Sequence, residues 1–269
     1  MNSKKFSIIT INYNNKIGLL ETIKSVVDQS YRDFEFIIID GGSTDGSLQI
    51  IEEFNDKIDY WVSEPDRGIY HAMNKGVRVT VGEYCNFMNS GDSFYNNKVL
   101  ENVFHKSLNK DILIGIAKTL HRTIPPPYNP TLDYFYKGKP LNHQAAFIKK
   151  HLLLKYPYDE VNYKIVSDTR FFVNAFILEN CSYQPLDLAI VNFDENGIGS
   201  RNFQFNRIEQ SKVLTDTICP RILEDYSNLL YTDYFIVQFA IAITKFISPY
   251  LKYFKINLYW GKLIKLLKN

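Results

Sequence analysis

The chain has 269 residues, 45% of them apolar, with 31 Lys and Arg against 29 Asp and Glu, for a formal charge of +2. This suits one large domain or a domain with an appendage; it excludes global disorder and gives no charge signature for nucleic acid. Cys85, Cys181 and Cys219 are odd in number and widely spaced, which fits neither a disulfide framework nor a metal knuckle and points to a reducing compartment. Phe6 to Ile11 is too short for a signal-peptide core and runs at once into Asn12-Tyr13-Asn14-Asn15, so a cytoplasmic location is expected.

In chain order, Phe6–Ile11 reads as a strand ending in Asn12 and Asn14, and Gly18–Gln29 as a helix with Leu19, Ile23, Val26 and Val27 inward. Phe34–Asp40 reads as a second buried strand, followed by the polar turn Gly41–Gly46 and a helix from Ser47 to Phe54 capped by Ser43 or Thr44. Asp59–Ser63 is a third strand. Pro65 and Gly68 break the chain before a helix from Ile69 to Val81, with Ile69, Met73, Val77 and Val81 on one face and Gly82 closing it. Glu83–Met88 reads as a strand that ends in Asn89-Ser90-Gly91-Asp92. The alternation implies a largely parallel sheet covered on both faces, with ligands at the carboxyl ends of its strands.

Further on, Val99–Ser107 reads as a helix, Asp111–Ala117 as a strand and Thr123–Pro130 as a stiff connection. Asn142–Ile148 returns as a strand. Ser167-Asp168 heads a helix over 169–178, which puts Asp168 in or beside a first helical turn. Pro185–Phe193 is another strand, and 196–201 a loop. The tail from Tyr234 has Phe235, Phe239, Ile243, Phe246 and Ile247 on one helical face and no acidic residue after Asp233. Its uncharged run is short of the about 20 residues a span needs. It fits a helix lying in a membrane interface beside anionic headgroups; a helix capping the core, or a homodimer contact, is the alternative.

Five blocks carry a family resemblance: Phe6–Asn14, Ser25–Tyr31, Ile38–Gly46, Asp66–Gly76 and Asn89–Asp92. Together they resemble family 2 glycosyltransferases, closest to bacterial members that build capsule, O-antigen or exopolysaccharide repeats. The resemblance covers the first 95 residues and weakens through His143-Gln144 to Asp168–Phe172. It implies an α/β GT-A fold, with a transferase domain over 1–200 (a nucleotide half over 1–95, an acceptor half over 96–200); residues 201–269 lie beyond the resemblance and read from their own pattern as a helical extension. It also implies a nucleotide-sugar donor, commonly a UDP-sugar, a Mn2+ or Mg2+ ion, and inversion at the anomeric carbon. The acceptor expected is a glycan, or one linked to undecaprenyl diphosphate, at the inner face of the plasma membrane.

Residue by residue, the resemblance puts Thr10, Asn12 and Asn14 along the nucleotide pocket, Asp40 on the base, Asn89 and Asp92 on the phosphate and metal motif, and Asp168 as the base catalyst. Arg67, Lys75 and His143 are candidate phosphate contacts, His143 equally a packing histidine. The pattern also departs from the family. Asn89 and Gly91 stand where the metal motif carries acids, His71 where Asp is common, Met73 where Arg is common, and Gly41 completes what is elsewhere an Asp-Asp pair. The motif of processive synthases is absent, so one transfer per encounter is expected. No Gly-x-Gly-x-x-Gly follows the first strand, which disfavours a dehydrogenase. No basic Gly-rich loop follows it either, which disfavours a nucleotidyltransferase. The thinned metal motif leaves a non-catalytic nucleotide-binding scaffold as the alternative.

Overall fold

The structure, a computed structural model, describes residues 4–106, 108–139, 141–195 and 203–231. The tail from Tyr234 on, with its expected amphipathic helix, lies outside them, as does the 196–201 loop. Two compact units are present, Met1–Thr217 and Ile218–Asn269. The described part of the second is a helix over 220–231.

The first unit is built on a nine-stranded sheet. Its strands are β1 (Phe6–Asn12), β2 (Phe34–Asp40), β3 (Tyr60–Ser63), β4 (Tyr84–Phe87), β5 (Ser93–Phe94), β6 (Ile112–Lys118), β7 (Thr123–Ile124), β8 (Ala146–Lys149) and β9 (Tyr183–Asn192). The spatial order is β3-β2-β1-β4-β8-β6-β9-β5, with β7 on β6. β3, β2, β1 and β4 run parallel. Every residue of β1 and of β4 is buried, as expected for strands covered on both faces.

The direction reverses at β8, which is antiparallel to both β4 and β6, and β9 is parallel to β6. The sheet is mixed but mostly parallel, as expected, with β8 and the short β5 and β7 antiparallel to their neighbours. This alternation brings the start of β8 and the ends of β6 and β9 to the edge where β1 to β4 also end. Register decides what meets there: Asn12 pairs with Asp40, and Asp40 with Ser63, across three strands.

The helices of this unit are α1 (Lys16–Val27), α2 (Ser47–Glu53), α3 (Ile69–Val79), α4 (Val99–Phe104), α5 (Leu132–Tyr136), α6 (Lys150–Lys155), α7 (Ser167–Val173) and α8 (Phe203–Thr217). α3 ends two residues earlier than its periodicity predicts, because Thr80 turns extended. Its buried face is Tyr70, Met73, Asn74 and Val77, while Val81 is exposed. α2 is capped neither by Ser43 nor by Thr44: Asp45 Oδ1 accepts from the Ser47 amide at 3.0 Å and from its hydroxyl at 2.6 Å. The helix predicted over 169–178 begins at Ser167 and passes from α-helix into one π turn at Asn174–Leu178. His143–Ala145 forms a 3-10 turn before β8.

Candidate active site

The loops after β1, β2, β3 and β4 meet along one edge of the sheet. Asp40 organises the first part of it. Its Oδ1 accepts from Asn12 Nδ2 at 2.8 Å and Ser43 Oγ at 2.6 Å; its Oδ2 accepts from Gly42 N at 3.1 Å, Ser43 N at 2.9 Å and Ser63 Oγ at 2.6 Å. The side chain is 0% exposed. Burial works against its charge, but the hydrogen bonds from Ser43, Ser63 and Asn12 hold the carboxyl below its ordinary range. Asn14, at φ 48°, accepts from the Thr44 amide at 2.8 Å, and its own amide donates to Ser43 Oγ. Thr10 donates to Met88 O at 2.7 Å, tying β1 to the end of β4 inside the core. Thr10, Asn14 and Asp40 thus bind the edge loops to one another.

Beyond β3, Asp66 lies between Lys75 and His71. Its Oδ1 meets Lys75 Nζ at 2.6 Å and His71 Nδ1 at 3.0 Å. Lys75 also meets Glu64 at 2.9 Å. Burial works against charge on Lys75, yet its bonds to Asp66 and Glu64 raise its pKa. Arg67 is mostly exposed and pairs with Glu160 at 2.5 Å. Both cations therefore reach carboxylates of this chain.

The second part of the edge begins after β4. Asn15 caps α1 through Gly18 N and donates to Ser90 O at 3.0 Å, pinning the 89–92 loop to the helix start. Thr22 donates to Asp92 O at 2.6 Å. Asp92 is 4% exposed, and its Oδ1 accepts from the Asp194 amide at 2.9 Å. Burial pushes its carboxyl up to about 7. A Cβ added at Gly91 (φ 103°) would lie 3.1 Å from Asp194 Oδ2. The Asp194 carboxylate stands where a side chain at 91 would project.

Asn89 leads to the last group. Its Nδ2 lies 3.5 Å from His143 Nε2, and His143 Nδ1 lies 3.0 Å from Asp168 Oδ2. Tyr70 OH donates to Asp168 Oδ1 at 3.2 Å and to Ile165 O. His143 thus bridges Asn89 and Asp168 through its two ring nitrogens. Asp168 lies in the first turn of α7 and is joined to the 89–92 loop through His143.

A family model, Glycosyl transferase family 2, matches residues 7–145. The chain belongs to that family. An uncharacterized glycosyltransferase of Mycobacterium tuberculosis is 32% identical over 207 residues, covering 72% of this chain and 76% of that protein. A PGL/p-HBAD biosynthesis glycosyltransferase of Mycobacterium bovis is 25% identical over 205 residues, covering 73% and 79%. Among solved structures, S. aureus TarS 1–349 with UDP-GlcNAc superposes with a TM-score of 0.63 at 20% identity, over 82% of this chain and 69% of that one. A Pyrobaculum calidifontis mannosyltransferase with GDP-Man and Mn2+ gives 0.60 at 14%, over 81% and 66%. The chain spans 36% of the longer TarS chain. These likenesses show the GT-A fold.

The protein is a nucleotide-sugar glycosyltransferase, and the candidate residues Asn12, Asp40, Asn89, His143 and Asp168 lie along one edge of its sheet. The donor set for a divalent ion is thin: no group of three or more His, Cys, Asp or Glu side chains is gathered among the described residues. Asp92 and Asp194 nevertheless put two hard carboxylates side by side, and the charge of Asp194 adds to burial in raising the Asp92 pKa. Such a pair fits a cation that takes its remaining ligands from phosphate and water. Sequence reasoning missed Asp194 because it lies 102 positions from Asp92. It missed the bridging role of Asn15, whose signal was an N-cap residue directly after a strand end. It also missed Asp66, which stood unremarked inside the Asp66–Gly76 block.

Proposed function

We propose that this chain is an inverting glycosyltransferase that moves a sugar, from a UDP-sugar in the first instance, to a hydroxyl of a growing, lipid-linked bacterial surface glycan. The observation that carries the reading is the His143–Asp168 pair, at 3.0 Å, on the same strand-end row as Asn12, Asp40 and Asp92. A carboxylate steadied by an imidazole on one side and a phenol on the other can take the proton of an attacking hydroxyl. TarS crystallised with UDP-GlcNAc supports a uridine donor, and a mycobacterial relative named for PGL/p-HBAD biosynthesis supports a biosynthetic transfer.

Inversion follows from a single in-line displacement. Asp168 accepts the hydroxyl proton while the acceptor oxygen bonds to the anomeric carbon and the nucleoside diphosphate leaves. No covalent enzyme intermediate is needed. Mn2+ or Mg2+, held by Asp92 and Asp194, would offset the negative charge gathering on the departing diphosphate. Arg67 and Lys75 reach Glu160, Asp66 and Glu64, so their service to phosphate requires those pairs to open.

The test is release of nucleoside diphosphate from a panel of sugar donors with Mn2+. We expect Asp168→Asn to lower turnover by ~10²–10⁴-fold while the melting temperature stays within a few degrees. Donor binding without turnover on any donor and acceptor would overturn the reading. The tail completes it: residues 234–269 place the enzyme on the cytoplasmic face of the plasma membrane, next to a lipid-linked acceptor. The uncharged run of the tail is shorter than the about 20 residues a span needs, which makes surface attachment the mode proposed; among the described residues no helix is long and apolar enough to cross a membrane.

A further inference from the structure

We propose that Asp66, rather than Asp40, is the carboxylate that accepts the ring N–H of the donor's nucleobase, so that the pocket selects uracil, thymine or guanine over cytosine and adenine. This rests on the reading of the chain as a nucleotide-sugar transferase and deepens it.

Asp40 has no lone pair to offer. Five donors from Asn12, Gly42, Ser43 and Ser63 converge on its two oxygens, and none of its surface is exposed. The next residue is Gly41, which has no side chain to reach a base. Asp66 comes in from the loop after β3 and fills that gap. A Cβ added at Gly41 would lie 3.4 Å from Asp66 Oδ2 and 3.1 Å from Tyr13 Cδ2. The carboxylate and the ring flank one spot at the carboxyl ends of β1 and β2, where open α/β sheets hold nucleotides.

Asp66 is also built as a receptor. Its side chain is 9% exposed, and Oδ1 is anchored by Lys75 and His71. Its Oδ2 is buried with no hydrogen-bond partner. Buried carboxylate oxygens are ordinarily satisfied, so an orphan at a ligand edge marks a place for a donor from outside. Asn12 Oδ1 is a second orphan at the same edge, its Nδ2 being committed to Asp40 and Ser43. The Tyr13 ring, 68% exposed, is the part of this wall that can move aside and lie against a base.

Two unpartnered acceptors, Asp66 Oδ2 and Asn12 Oδ1, suit a base whose ring nitrogen carries a proton. Uracil and thymine present N3–H, and guanine presents N1–H. At neutral pH cytosine N3 and adenine N1 carry lone pairs, which a carboxylate oxygen repels.

Titration calorimetry of the full chain with UDP, dTDP, GDP, CDP and ADP, in Mn2+, tests this. We expect at least one of UDP, dTDP and GDP to bind ~10–100-fold more tightly than CDP and ADP, as for a hydrogen bond to a charged group. Asp66→Asn should bring the ratio close to one, since a carboxamide can donate to cytosine N3. The ratio, unlike affinity itself, is insensitive to a general loosening of the loop. N3-methyl-UDP tests the same contact on the unmodified protein and should bind at least ~10-fold more weakly than UDP wherever UDP is the preferred ligand. Selectivity that survives Asp66→Asn, equal binding of a preferred UDP and its N3-methyl form, or preference for CDP or ADP would overturn the role of Asp66 and leave the transferase reading standing. Failure of every nucleotide to bind would remove both.

Discussion

Asp40 shows how a single side chain can organise a site through bonds to its own chain. Its carboxylate closes the 41–46 turn and joins three strand ends. Asp40→Asn turns one acceptor oxygen into a donor facing other donors, and a buried group left unmatched costs about 1–3 kcal/mol. We expect this loss at neutral pH, read from denaturant unfolding. The acid limb should change as well. Because the folded carboxyl is held below its ordinary range, its contribution is complete above the unfolded value of about 3.9 and is lost as pH falls through the folded value. The melting temperature of the native protein should therefore drop more steeply below about pH 4 than that of Asp40→Asn; equal slopes would refute the linkage. Asn12, Asn14 and Asp40 were legible in the sequence as a site because polar residues ending buried strands are conspicuous. That they bond mostly to one another depends on the Asn12–Asp40–Ser63 register, which no local pattern encodes.

Among the elements, α3 carries the site's middle. It buries Met73 and Val77 and presents Tyr70 toward Asp168. Gly76 lets it approach β1: a Cβ there would stand 2.5 Å from Ile9 Cγ2 and 3.5 Å from Ile39 Cγ1. Elsewhere in a helix, Gly→Ala gains about 1 kcal/mol. Here the overpacking term of about 1–3 kcal/mol opposes it, so Gly76→Ala should lower the melting temperature and should also reduce turnover by shifting Tyr70. A melting temperature that rises would show that α3 has room to retreat. The helix itself was evident from Pro65 and Gly68 before it and the apolar spacing within it. Its inward face is offset from the periodic guess because Thr80 ends it before Val81.

Over the first unit as a whole, the catalytic end is held by a helix remote in sequence. Glu209 of α8 accepts from the amides of Lys164, Ile165 and Val166 at 2.9, 2.9 and 3.2 Å, directly before Asp168. Tyr163 adds a bond to Asp216 at 2.7 Å. These contacts carry the first unit past residue 200 to Thr217. Glu209→Ala should cost about 1–3 kcal/mol and lower turnover more than it weakens nucleotide binding; unchanged turnover would exclude an anchoring role. For the proposed surface attachment, the full chain should sediment with vesicles containing anionic lipid and release at high salt, whereas a chain ending at Asp233 should stay in the supernatant. Equal sedimentation of both would remove the tail from the proposal.

The sequence by itself determined the elements of the nucleotide half and the family, and it singled out Asp92 and Asp168 as candidates. Strands buried on both faces and helices bounded by Gly and Pro are local facts, written in consecutive residues. The tertiary structure alone decided where the sheet changes direction, and hence that His143 and Asp194 arrive at the same edge as Asn89 and Asp92. It also decided that Asp66 and Asp194 stand in the spaces left by Gly41 and Gly91. A glycine in a motif looks like a loss until the fold shows which distant side chain the missing Cβ makes room for.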